Sequence, residues 1–200
     1  MARKSFSKNS LAKKGAIVKS RAKKSGNSMF FWAAIAGIIT AVLFIPQLAF
    51  ELARAVGYSG GNAVYVVLSI ITTITYSVFV WGFREMGSRT KNELMVWSSY
   101  ALIALGIISE VYVLATLDSG KADLLAHILL VLSGIAGIVF GFGLLRLAPR
   151  FGRLATATGV IVIGQGAAIA SILLVIIAVI LFIPTYVLEI ILLFKAKKKL

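Results

Sequence analysis

Three ionisable side chains stand in largely apolar stretches of this sequence, and they are the residues best suited to chemistry: Glu51, Glu110 and His127. A carboxylate or an imidazole is costly in an apolar environment, so each normally has a partner or a function there. The stretches that hold Glu110 and His127 follow each other along the chain with a short connection, which allows the two side chains to meet. Such a pair could relay protons or, with Glu51, bind a divalent cation.

The elements that must position these residues are predicted to be transmembrane helices. Apolar residues make up 60% of the 200 residues and charged residues 14%, a balance that a water-soluble domain of this size cannot hide from solvent. The run from 155 to 188 contains no charged side chain, and about 20 such residues are enough to cross a hydrocarbon layer of ~30 Å. We therefore predict an all-α, polytopic membrane protein. The absence of cysteine excludes disulfides and thiolate sites.

Five helices are the favoured number for this bundle. The predicted spans cover about 29–52, 63–83, 94–117, 124–147 and 155–194. A six-helix alternative divides the last span into a hairpin. It is disfavoured because 167–183 contains only apolar residues and Ser171, with no Gly, Pro, Asn or Asp on which to turn. One long final span would place Tyr186 and Glu189 at the membrane interface.

Basic residues are concentrated outside the predicted spans, in an arm at 1–28, in the short loops and in a tail at 195–200. The net charge is +14, and the arm holds nine Lys or Arg and no acidic residue, which predicts a disordered or interfacial segment. The arm residues expected to contact anionic lipid head groups are Lys13, Lys14, Lys19, Arg21, Lys23 and Lys24. Nucleic-acid binding is disfavoured because the arm lacks interleaved aromatic residues. The loop charges predict a cytoplasmic amino terminus in the cell membrane.

Small residues recur on two of the predicted helices. Ala33, Gly37 and Ala41 are spaced four residues apart, and Gly137 and Gly141 form a GxxxG pair. Such faces allow helix backbones to approach closely, so these positions are predicted to be helix-packing sites.

The ionisable residues also have a purely structural interpretation. Each of them could lie near the head groups rather than deep in the bilayer. In that position Glu51 would pair with Arg54, three residues further along the helix, and Glu110 would reach water.

Two segments near the end of the chain carry a resemblance to known proteins. The segment at 147–159 reads LAPRFGRLATATG and the one at 188–197 reads LEIILLFKAK. They resemble small multi-pass membrane proteins of prokaryotes that have no known function. The resemblance implies a polytopic membrane protein, and it implies no activity, substrate or catalytic residue.

Function is predicted as a choice between two kinds of membrane protein, with no cofactor. The favoured one is a helix-packing scaffold or accessory subunit that associates with itself or with other membrane proteins, since the small-residue faces suit such contacts. The alternative is a small transporter or channel component with a polar site near Glu110 and His127. An enzyme is disfavoured because the sequence lacks Gly-x-Ser-x-Gly, His-Glu-x-x-His and a phosphate-binding loop.

Overall fold

The computed structural model of the protein describes residues 8–55, 60–117, 124–171 and 174–200, and it describes the backbone alone for 8–27, 55 and 175. In these ranges the chain forms helices α1 (Lys8–Ala55), α2 (Asn62–Thr90), α3 (Glu93–Ala115), α4 (Leu124–Leu145), α5 (Ala148–Phe151), α6 (Arg153–Ala170) and α7 (Val175–Lys199). No described residue lies in a strand, so the predicted all-α class is confirmed. By length and composition, six of these helices, all except the short α5, can cross a membrane.

The six long helices form a closed ring. Each contacts the next along the chain, from α1 through α2, α3, α4 and α6 to α7, and α7 returns to contact α1. Their connections are short, so neighbours in the ring run antiparallel. The ring encloses a core of large buried side chains, which are Phe30, Phe79, Phe83, Phe140, Leu144, Leu192 and Leu193.

The polar end of α2 explains why this helix extends to Thr90, beyond the predicted end at 83. Glu85 and Arg89 form an ion pair of 2.9 Å one turn apart, which stabilises helical backbone. Met86 lies between them and is fully buried in the core. A helix end that is polar in sequence is therefore held in place by packing, which a hydropathy pattern does not show.

The buried side chain of Asn92 joins the α2–α3 turn to α4. Its Oδ1 accepts a hydrogen bond from the backbone of α3, which caps that helix, and its Nδ2 donates one of 2.7 Å to the carbonyl of Gly143. Gly143 lies in the last turn of α4, where carbonyls lack partners within the helix. The Asn92 side chain thus supplies a hydrogen-bond partner to a backbone N–H in the first turn of α3 and to a backbone carbonyl in the last turn of α4.

Glycines allow α4 and α6 to approach closely. A Cβ atom added to Gly134 would lie 2.5 Å from the backbone nitrogen of Ala170, and one added to Gly141 would lie 2.9 Å from the carbonyl oxygen of Gly159. Backbone atoms cannot move aside as a flexible side chain can, so a larger residue at either position would separate the helices.

The segment predicted as one span, 155–194, is divided into α6 and α7. Ser171 explains the break, because its hydroxyl donates a hydrogen bond to the carbonyl of Ala168 (2.9 Å) and accepts one from the N–H of Leu174 (3.2 Å). One hydroxyl satisfies backbone groups on both sides of the break, so no Gly or Pro is needed. The chain therefore has the six helices of the alternative prediction rather than five.

One end of the ring, which we call the basic end, contains the α2–α3 turn, the connection from α4 through α5 to α6, and the tail. Lys195 donates a hydrogen bond of 3.0 Å to the carbonyl of Phe151, and Arg89 lies 5.2 Å from the ring centre of Phe30. The basic residues of this end are Arg84, Arg89, Lys91, Arg146, Arg150, Arg153, Lys195, Lys197, Lys198 and Lys199. Among the described side chains, Arg54 alone is basic at the opposite end.

The outer surface of the ring is apolar along its length. Large side chains such as Trp97, Leu124 and Ile176 are more than two-thirds exposed. Lipid, rather than water, is the solvent that such a surface fits, so the chain has the make-up of an integral, multi-pass membrane protein. The side chains of the arm, including Lys13 and Lys24, lie outside the described residues, and their contact with head groups stays a prediction.

Candidate ligand-binding cavity

A cavity of about 300 Å³ lies inside the ring and is lined by residues of all six long helices. Its wall is mainly apolar and aromatic. The polar side chains in the wall are Tyr76, Ser133, Gln165, Thr185, Tyr186 and Glu189. An apolar cavity with a few convergent polar groups is the usual form of a site for a small molecule.

Stacked aromatic rings form one wall of the cavity. Phe182 stacks on Phe44 of α1 with ring centres 3.6 Å apart and on Tyr186 at 4.3 Å. Tyr186 also stacks on Phe79 of α2 at 5.2 Å. These rings come from three helices, and their faces carry the negative side of the aromatic quadrupole.

Glu189 is the one carboxylate in the cavity wall, and it is 5% exposed. It lies ten residues before Lys199 and thirteen after Ile176, the two ends of the membrane-crossing part of α7. At ~1.5 Å per residue this places it roughly 9 Å, or between one and two helical turns, before Lys195, the first lysine of the tail. Glu189 and Tyr186, which were predicted to lie at the membrane interface, are both buried inside the bundle rather than exposed on its outer surface.

Within the described residues, the carboxylate of Glu189 has no ion-pair partner. It interacts electrostatically with the hydroxyls of Tyr76 and Tyr186, and it forms no hydrogen bond or ion pair within the described part of the chain. The pattern that marks this site is the spacing of Phe182, Thr185, Tyr186 and Glu189, which fall at i, i+3, i+4 and i+7 on one face of α7. This spacing can be recognised as one face of a helix only when α7 is known to begin near 175.

A second group of polar side chains lies near the end of the ring opposite the basic end. The Tyr65 hydroxyl donates a hydrogen bond of 3.4 Å to Glu51, and the Arg54 guanidinium lies 3.9 Å from the centre of the Tyr65 ring. Glu110 of α3 interacts electrostatically with both Glu51 and Tyr65. The structure therefore brings together two of the three ionisable residues singled out from the sequence.

The third of these residues, His127, is exposed on α4. Within the described ranges, no group of three or more His, Asp or Glu side chains is arranged to hold a metal ion. Glu51, Glu110 and His127 thus do not form the three-ligand divalent cation site that the sequence suggested.

The small-residue positions lie at contacts between helices of the ring. Ala33 is fully buried, and a Cβ atom added to Gly37 would lie 2.5 Å from the ring of Phe79. Ala41 packs partly buried against the core. On α4, Gly137 faces Gly166 of α6 at ordinary contact distance, one turn from the tighter contact at Gly141.

Comparison of the chain with protein-family models, with curated proteins and with solved structures finds no match. The resemblance to small prokaryotic membrane proteins therefore extends only to the helical, membrane-crossing character of the chain.

Proposed function

We propose that the protein is a small membrane transporter, or a subunit of one, that binds an organic cation in the central cavity. The observation that carries this proposal is Glu189, a buried carboxylate without an ion-pair partner among the described residues, in the wall of an aromatic-lined cavity. A buried charge is costly unless a partner compensates it, so intramembrane carboxylates usually serve substrates or ions.

The chemistry of the wall defines the class of ligand. A carboxylate and the faces of stacked aromatic rings both attract a positive charge. The remaining apolar surface favours a ligand whose body is apolar, and a volume of about 300 Å³ suits a small organic molecule. The ligand is therefore a lipophilic organic cation.

The small residues contact helices of the same chain, and this favours a transporter over a scaffold. Gly37, Gly134 and Gly141 are the close-approach positions that would serve contacts with other proteins. Each is occupied by contacts with a neighbouring helix of the same chain. Association with a second copy or with another membrane protein would instead have to use the exposed apolar outer surface of the ring.

Binding of tetraphenylphosphonium, a lipophilic cation, tests the cavity. We expect purified protein in nanodiscs to bind it saturably, and Glu189→Gln to weaken binding at least tenfold, about 1.4 kcal/mol, since it removes the negative charge. Equilibrium binding of the radiolabelled ligand measures the effect.

Two controls make this test specific. Glu93→Gln removes an exposed carboxylate at the start of α3 and should leave binding unchanged. Neutral triphenylphosphine oxide should bind Glu189→Gln as well as the parent, because it lacks the charge that Glu189 attracts. Failure of the parent to bind the cation, or an equal loss in Glu93→Gln, would contradict the proposal.

We further propose that the basic end faces the cytoplasm. Ten described basic side chains lie at this end and Arg54 alone at the other, the distribution that the positive-inside rule associates with the cytoplasmic side. The arm at 1–28, whose described part from Lys8 onward belongs to α1, is expected at the same end, where it would meet anionic head groups. A green fluorescent protein fused after residue 200 should therefore be fluorescent, whereas an alkaline phosphatase fused there should be inactive; an active phosphatase would reverse the orientation.

A further inference from the structure

Among the described residues, four buried side-chain oxygens in the half of the ring away from the basic end have no hydrogen-bond partner of good geometry, although one of them, Ser69 Oγ, interacts with the Tyr65 hydroxyl. They are Gln47 Oε1, Ser69 Oγ, Thr72 Oγ1 and Glu110 Oε1, and we call them the oxygen cluster. Gln47 is 8% exposed and Ser69 is fully buried. Oxygens at such depth cannot be satisfied by bulk water, and each one left unpaired is costly.

The register of α1 on α2 places two of these oxygens at one level. The hydroxyls of Thr40 and Thr75 lie 2.9 Å apart and align the two antiparallel helices. Gln47 lies seven residues after Thr40, so it faces the position about seven residues before Thr75, which is next to Ser69. The same alignment brings Tyr65 to Glu51, whose hydrogen bond is observed.

The register of α3 on α2 places the other two oxygens beside them. Gly106 packs against Tyr76, whose ring lies 3.3 Å from a Cβ atom added at that glycine. Glu110 follows Gly106 by four residues and Thr72 precedes Tyr76 by four, so these two side chains are level. Ser69 and Thr72 share one face of α2. Measured along the helix axes, oxygens from three helices thus lie at levels within about one helical turn of each other, ~5 Å.

Charge and ligand type indicate what this cluster would bind. Its members are an amide oxygen, two hydroxyl oxygens and a carboxylate oxygen, which is a donor set for a hard cation. Glu51 lies beside Glu110 on the exposed side of the cluster, and Arg54 is the one basic side chain that interacts with Glu51 among the described residues. With both carboxylates ionised the group carries one net negative charge, which a monovalent cation neutralises.

We propose that Gln47, Ser69, Thr72 and Glu110 form a binding site for a sodium ion. The mainly neutral ligands suit Na⁺ better than Ca²⁺ or Mg²⁺, whose sites use more carboxylates. Glu51 adds negative charge at the mouth of the site. This assignment uses no residue of the central cavity wall and does not depend on the organic cation proposed for that cavity.

Equilibrium binding of ²²Na⁺ to the full chain in nanodiscs tests the site, with choline chloride holding the ionic strength constant. The parent is expected to bind one Na⁺ per chain. Glu110→Gln and Ser69→Ala should each weaken binding at least tenfold, because each removes a ligand oxygen or its charge. Glu93→Gln and Glu189→Gln, which alter carboxylates elsewhere, should bind Na⁺ as the parent does.

Retention of tetraphenylphosphonium binding shows that the Glu110→Gln and Ser69→Ala proteins are folded. For folding independent of that ligand, each variant is also compared with the parent by gel filtration and thermal unfolding. Absence of saturable Na⁺ binding in the parent would overturn the assignment, as would parent-like binding in both variants or a preference for Ca²⁺ over Na⁺. If the parent binds Na⁺ but does not bind the organic cation, only the function proposed for the central cavity is contradicted.

Discussion

Polar side chains have defined partners in one half of the ring, whereas some in the other half lack them. At the basic end, Asn92, Arg89 and Lys195 each have a defined partner, and two of these partners are backbone carbonyls of other elements, Gly143 in α4 and Phe151 in α5. In the cavity and beyond it, Glu189 lacks an ion pair and Glu110 has a buried oxygen without a hydrogen bond. Paired groups hold a fold together, whereas unpaired ones are available to a ligand. The polar side chains of one half therefore stabilise the fold, whereas those of the other half are available to bind a ligand.

The largest expected effect is that of replacing Asn92, which would destabilise the half of the ring that contains the basic end. Asn92→Ala removes a buried hydrogen bond to Gly143 and the cap of α3, so we expect it to lower the free energy of unfolding by about 2–3 kcal/mol. Unfolding in mixed micelles with increasing sodium dodecyl sulfate measures the change.

The variant Asn92→Ser separates the two contributions of this residue. Serine retains a capping oxygen but is too short to reach Gly143, so it should recover only about 1 kcal/mol of the loss. Full recovery would mean that the hydrogen bond from Asn92 to Gly143 contributes nothing to stability.

A smaller effect of opposite sign is expected in the binding half. Glu189→Met replaces the buried carboxylate with an apolar side chain of similar size, and we expect a gain of about 1 kcal/mol in the free energy of unfolding, since an uncompensated polar group is removed. The same micelle titration, made without added ligand, measures it. A loss as large as that of Asn92→Ala would show that Glu189 holds the fold, and the comparison between the halves would fail.

The class and the approximate bounds of most helices follow from the sequence because hydrophobic length is a local property, whereas the number does not, since five long helices were favoured and six are observed. The start of α4 at Leu124 and that of α2 near 63 are examples. The break at Ser171 and the extension of α2 past Met86 were missed, since one depends on a single hydroxyl and the other on burial against distant residues. A hydropathy profile shows neither the hydrogen bonds of one hydroxyl nor burial against residues distant in the chain.

Only part of the polar sites was visible in the sequence. Glu51 and Glu110 stand out as charges in apolar stretches, and the structure brings them together. Glu189 was taken for a helix end, because a final span counted from 155 would already have crossed the bilayer before reaching it. The cavity depends on contact between α1 and α7, which are far apart in the chain, and no local pattern reports such a contact.

Closure of the ring has a consequence for biosynthesis. The helix α7 supplies Phe182, Tyr186 and Glu189 to the cavity, and it is the sixth of the long helices to leave the ribosome. Until then α1 and α6 have no neighbour between them, and the ring is an open arc without an enclosed cavity. A molecule that occupies the cavity binds only the finished ring, so its presence in the membrane during translation would increase the yield of assembled protein by mass action.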